Sequence, residues 1–219
     1  YVSNYHGFCR MILRKYGYLF NSNLKDIKSL YSINDDVVED LINLDIGLSF
    51  AEAQKVVNFS EAIKNRNTSY IKENLNHYLK KVSDNFLPNG YIPFNAILII
   101  VFKIFNDYPE VLKFYQKYYS HIIVDEFQDT NVISWSLLKK LINEDHNLIL
   151  MGDPLQRIYG FIGAIPGLLT IAKDKLNLKR INLETNHRFA GNRKLLQLDN
   201  NIRKNAENPS GSQISEDVD

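Results

Sequence analysis

Apolar residues recur at helical spacing over long stretches of this chain, and at strand spacing over only a few short ones. Between Tyr5 and Leu19, Phe8, Ile12, Leu13 and Tyr16 share one face, and Gly17 is a natural stop. Residues 37–44, 50–59 and 70–82 repeat the pattern between Asn, Ser and Asp punctuation, so 21–85 is predicted to be all helical. Leu87-Pro88-Asn89-Gly90 reads as a turn. Helices are predicted again over 94–105 and 109–118.

The pattern then changes. His121-Ile122-Ile123-Val124 is a short β-branched run that stops at Asp125-Glu126. A helix follows with Val132, Trp135, Leu138 and Leu141 on one face, and Asp129 or Thr130 as its expected N-cap. A second apolar run over 148–151 stops at Gly152-Asp153-Pro154. Strand, helix and strand within ~30 residues predict a βαβ unit with parallel strands and ligands at their carboxyl ends. A helix over 168–175 and a third strand over 180–183 complete the reading. The fold class is α/β, with no internal repeat.

Composition narrows the function. Of 219 residues, 26 are Lys or Arg and 25 are Asp or Glu, a net charge of +1. Affinity for a polyanion through bulk charge is therefore excluded, and any nucleic-acid contact must be local. The Lys80-Lys81 and Lys139-Lys140 pairs read as solvated helix faces. One cysteine, Cys9, excludes an internal disulfide, and with five scattered histidines it excludes a Cys/His zinc cage. No apolar run reaches the ~20 residues of a membrane span, so no membrane contact is expected. The start at Tyr1 reads as mid-domain sequence, and 209–219 as a disordered tail. The expectation is a piece of a longer, cytoplasmic protein, with the richness in Asn, Lys, Ile and Tyr pointing to an AT-rich bacterial genome.

Acids at the ends of apolar strands are costly unless a cation or a hydrogen-bond network compensates them. Magnesium takes one or two carboxylates, water and substrate phosphates. A strand ending in Asp-Glu thus suggests phosphoryl chemistry, with Asp125 holding Mg²⁺ through water and Glu126 orienting or deprotonating an attacking water. By itself the pair is equally compatible with capping and turn formation.

The surrounding string, Ile123-Val124-Asp125-Glu126-Phe127-Gln128-Asp129-Thr130-Asn131, resembles the second motif of the UvrD/Rep-type superfamily 1 DNA helicases. The stretch from Gly152-Asp153-Pro154-Leu155-Gln156 through Tyr159-Gly160-Phe161 to Gly163-Ala164 resembles the third motif. Leu183-Glu184-Thr185-Asn186-His187-Arg188-Phe189 resembles the fourth, and Asn4-Tyr5-His6-Gly7-Phe8-Cys9 is similar to the Thr-Phe-His stretch before the family's helical insertion. The likeness is close over 121–189 and loose over 1–120.

The resemblance implies part of a RecA-like, P-loop NTPase sheet with an all-helical inserted subdomain. Residues 1–20 and 91–182 would belong to the first RecA-like domain and 21–90 to the insertion. Residues 183–219 would begin the second domain and include the tail. It further implies an ATP- and Mg²⁺-dependent motor that moves 3′ to 5′ on single-stranded DNA and separates duplex DNA. In that scheme Asp125 coordinates Mg²⁺, Glu126 is the catalytic base, and Gln156 senses the γ-phosphate. Arg188 reaches the same phosphate as an arginine finger, and His187 stands where a tyrosine usually packs near the adenine. Tyr159 and Phe161 offer rings to bases, each stack being worth ~1–3 kcal/mol. Asn4 and His6 lie on the DNA side.

Departures matter too. Ile162 replaces the usual arginine, and Arg157 stands where serine is common, so Arg157 is expected to supply a substitute charge beside DNA. The sequence contains no Gly-Lys-Ser or Gly-Lys-Thr of a phosphate loop, and the family's last motifs are absent. The middle of a helicase, inactive alone, is the leading expectation. A non-catalytic DNA-binding or interaction protein derived from this fold is the alternative, ahead of a metal-dependent nuclease.

Overall fold

The computed structural model describes residues 2–156, 160, 163–183, 185–187 and 191–207. Among the described residues helices dominate, with two short parallel sheets among them. In chain order the elements are α1 (Tyr5–Tyr16), β1 (Tyr31–Ile33), α2 (Val38–Asn43), α3 (Phe50–Lys64), α4 (Thr68–Lys81), β2 (Tyr91–Pro93), α5 (Phe94–Asp107), α6 (Pro109–Tyr118), β3 (His121–Val124), α7 (Val132–Leu141), β4 (Asn147–Leu150), α8 (Leu168–Lys175) and α9 (Arg193–Glu207). Short 3₁₀ turns connect several of them.

Local chemistry sets the helix ends. Ser49 and Glu52 form a reciprocal capping box at the start of α3, satisfying two otherwise unpaired N–H groups. Gly17 closes α1, as its position in the sequence predicts. Gly90, in the left-handed region at φ 82°, turns the chain from Leu87–Asn89 into β2. The cap of α7 differs from expectation: Asn131, not Asp129 or Thr130, accepts the Ser134 N–H at 2.9 Å. Asp129 ends a 3₁₀ turn instead, and Thr130 is buried.

The main core runs from Cys9 to Leu141 and is centred on α5. Ala96 to Val101 are all at most 2% exposed, so this stretch of α5 is apolar all round and enclosed by its neighbours. Cys9 is fully buried on α1, and burial pushes its thiol pKa well up. A smaller cluster of Phe127, Trp135, Leu138, Leu168 and Ala172 packs α7 and α8 beneath β3 and β4.

One buried carboxylate sits inside the helical body. Asp35, 2% exposed, accepts the Tyr78 hydroxyl at 2.5 Å and the Asn95 amide at 3.2 Å, and Asn95 also donates to Ser60 at 3.1 Å. Tyr78 in turn stacks on Phe59 with ring centroids 4.2 Å apart. These contacts tie the segment before α2 to α3, α4 and α5.

Two strand expectations fail. Residues 21–85 do contain a strand: β1 pairs in parallel with β2, Tyr31 opposite Tyr91. Three residues are too few to leave a periodic signal, and the partner is far along the chain. Conversely, no strand forms over 180–183, where Ile181 and Leu183 are 76% and 94% exposed. An alternating sequence becomes a strand only beside a ladder partner, and none of the described strands pairs with this segment.

β3 and β4 pair in parallel, His121 opposite Asn147 through Val124 opposite Leu150. Ile122, Val124, Leu148 and Leu150 face the helices. Ile123 and Ile149, on the other face, are 61% and 52% exposed, unusual for parallel strands, which are normally covered on both faces. Among the described residues, no helix is long and apolar enough to cross a membrane.

Candidate functional site

The ladder between β3 and β4 continues past the named strands. The Met151 N–H donates to the Val124 carbonyl and the Phe127 N–H to the Met151 carbonyl, both at 2.8 Å. This brings the acidic ends of the two strands side by side. Phe127, fully buried against Trp135, anchors the turn from below.

Asp125 and Glu126 are exposed at this edge. Glu126 adopts a left-handed backbone, φ 49° and ψ 38°, a conformation of the kind that persists where surrounding contacts over-determine it. Its N–H donates to the Asp125 carboxylate at 2.9 Å. The Gln128 side-chain amide, only 4% exposed, donates to Glu126 Oε2 at 2.7 Å. Gln128 Oε1 accepts the Asp153 N–H at 3.1 Å. Asp153 Oδ2 accepts the Gln156 amide at 3.0 Å, and Oδ1 the Leu155 N–H at the same distance. Glu126 and Gln156, thirty positions apart, are thus joined through Gln128 and Asp153.

Gly152 makes room for this chain of contacts. A Cβ there would lie 2.3 Å from Gln128 Oε1 and within 3.3 Å of the Phe127 and Gln128 N–H groups. Asp153 also receives Arg203 Nη2 at 2.9 Å, from α9. Desolvation pushes the Asp153 carboxyl up, but the bonds from Arg203, Leu155 and Gln156 outweigh it and leave its pKa below the ordinary value. Asp153 is therefore a stable anion, an acceptor only.

The arrangement suits a divalent cation bound mainly by water and phosphate. Asp125 presents a carboxylate to solvent at the strand end, while Glu126 is held one residue on by Gln128. Among the described residues no three His, Cys, Asp or Glu side chains converge on one point, and magnesium held by one carboxylate needs no such cage.

The other expected site residues are scattered. Asn4 is the N-cap of α1, its side chain accepting the Gly7 N–H at 2.8 Å. His6 lies edge-on to Phe94 at 5.6 Å. Burial lowers its pKa, the Arg10 charge acts in the same direction, and a backbone contact at Phe94 opposes both. His187 is exposed in irregular chain. Arg157, Tyr159, Phe161, Ile162 and Arg188 lie outside the described residues. Gly163, φ 91°, lies against α3, where a Cβ on it would come within 2.7 Å of the Ile63 carbonyl. Ala164 then accepts a bond from Arg66.

Reading the motifs missed two residues. Gln128 sits within the second motif but has no titratable group to attract notice. Arg203 lies fifty positions beyond its partner, and no local pattern marks it.

The structure is thus a largely helical protein with small parallel sheets, one of which ends in an acidic, hydrogen-bonded edge. Residues 1–177 match the UvrD/REP helicase N-terminal domain, and the chain belongs to that family. It is 30% identical to the ATP-dependent DNA helicase PcrA of Bacillus subtilis over 223 aligned positions, covering 95% of the chain and 30% of that relative. A probable DNA helicase II homolog of Mycoplasma capricolum is 30% identical over 152 residues, 69% of the chain and 21% of the relative. PcrA of Staphylococcus epidermidis is 38% identical over 105 residues, 48% of the chain and 14% of the relative. The chain thus spans less than a third of the length of these relatives.

Proposed function

We propose that this chain is part of an ATP-dependent DNA helicase that couples ATP hydrolysis to 3′–5′ movement along single-stranded DNA and to duplex unwinding. The observation that best supports this reading is the hydrogen-bonded series Glu126, Gln128, Asp153, Gln156 along one strand edge. Residues 1–20 and 91–182 then form part of a RecA-like ATP-binding domain, 21–90 a helical insertion, and 183–219 the start of a second RecA-like domain.

In this reading Mg²⁺, when bound, neutralises charge developing on the phosphates of ATP. Asp125 holds that ion through water. Glu126 accepts the proton of the attacking water, and Gln128 holds its carboxylate in place. Gln156 faces the terminal phosphate, where a change in that phosphate alters the bond to Asp153. Arg188 supplies positive charge to the same phosphate, and His187 packs near the base. Tyr159 and Phe161 stack on DNA bases, with Asn4, His6 and Arg157 along the strand.

General bases contribute about 10²–10⁴ in rate. Glu126→Gln in the full-length protein should therefore retain ATP binding and lose at least about a hundredfold in DNA-stimulated hydrolysis. Near-normal hydrolysis by that variant would reject the assigned base. Residues 1–219 alone, which contain no Gly-Lys-Ser or Gly-Lys-Thr, should hydrolyse ATP poorly or not at all.

A further inference from the structure

Arg203 belongs to none of the motifs, yet it touches the candidate site. Its Nη2 donates to Asp153 Oδ2, the same oxygen that accepts the Gln156 amide. Its Nε reaches Asp199 Oδ2 at 3.3 Å, one turn back on α9. Asp199 Oδ2 in turn accepts the Asn186 side chain at 2.8 Å. A single polar path therefore runs from Glu126 through Gln128, Asp153, Arg203 and Asp199 to Asn186, two positions before Arg188.

We propose that Arg203 is a positioning residue that sets the orientation of Gln156 through Asp153, making that orientation depend on where α9 lies. The physical basis is donor and acceptor matching. An ionised carboxylate only accepts, so Gln156 must turn its NH₂ toward Asp153 and its carbonyl the other way. The guanidinium fixes that carboxylate in place. A displacement of α9 that separates Arg203 from Asp153 frees the carboxylate to rotate, and the Gln156 amide bonded to it turns with it. Helix α9 and the strand edge are thereby coupled through this ion pair.

This inference rests on the reading of Glu126 and Gln156 as parts of the hydrolytic site, and the test separates the two. In the full-length protein, Arg203→Ala should lower kcat for DNA-stimulated ATP hydrolysis by about five- to tenfold, with KM for ATP changed less than about twofold. Arg203→Lys, which keeps the charge and a donor, should recover most of the loss. Combined with Gln156→Ala, Arg203→Ala should add little, because Arg203 acts only through the orientation of Gln156.

Multiplying effects in the double variant, or a wild-type rate for Arg203→Ala alongside an inactive Glu126→Gln, would overturn the role of Arg203 and leave the site intact. An active Glu126→Gln would instead remove the underlying reading. If Arg203→Ala fails to fold, Arg203→Gln replaces it in the same cycle with the same expected non-additivity.

Discussion

Asp35 and Asp153 are both carboxylates gripped by several donors, yet they do opposite work. Asp35 is sealed in the helical body, and its donors Tyr78 and Asn95 come from buried or half-buried positions on α4 and α5. Desolvation pushes its pKa up, against the hydrogen bonds that favour the anion. Asp153 lies at an open strand edge, its side chain 23% exposed, and its donors Arg203 and Gln156 are themselves solvent-accessible. Its pKa moves down. A network closed on itself stabilises a fold. A network left open on one side can respond to a ligand.

The comparison breaks most directly by removing each acid. Asp35→Ala leaves the Tyr78 hydroxyl and Asn95 amide buried without their acceptor, and should destabilise the protein by about 3–5 kcal/mol in urea unfolding. Asp153→Ala should cost under about 1 kcal/mol while slowing ATP turnover in the full-length protein. Equal stability losses would dissolve the distinction. Between these lies Gly152→Ala: the added methyl collides with Gln128, so a loss of about 1–3 kcal/mol is expected. It should be accompanied by slower turnover, because Gln128 loses its hold on Glu126.

The smallest effects are in pH dependence, and their signs differ. Native Asp35 holds its proton more tightly than the unfolded chain does. Its contribution to stability therefore falls as pH rises from the ordinary value of 3.8 toward its higher native pKa. Asp35→Asn should remove that falling limb. Asp153 binds its proton more weakly when folded, so it contributes stability above 3.8 that is lost as pH falls through its lower native pKa. Asp153→Asn should flatten the acid side of the curve. Urea titrations at a series of pH values measure both slopes.

Local signals were readable and distant ones were not. The bounds of α6, β3 and α8 follow directly from apolar periodicity interrupted by Pro109, Asp125 and Gly167. That the ends of β3 and β4 lie side by side follows from their parallel, in-step register, which a strand–helix–strand pattern predicts. The intermediates do not follow. Gln128 acts by reaching across to the chain at Gly152, and Arg203 by returning from α9, and both depend on tertiary placement. The same limit explains the strands: β1 pairs with β2 from far along the chain, while 180–183 has no partner strand among the described residues. Asn131 took the cap of α7 because the 3₁₀ turn at Phe127–Asp129 delays the helix start.

The burial of Cys9 has a practical side. Its thiol is the only one in the chain, fully enclosed and held protonated, and protonated thiols react slowly with alkylating dyes. A cysteine introduced on the outside of α9, as in Lys204→Cys, should take up a fluorophore by itself. The movement of that helix could then be followed optically without first replacing the native cysteine.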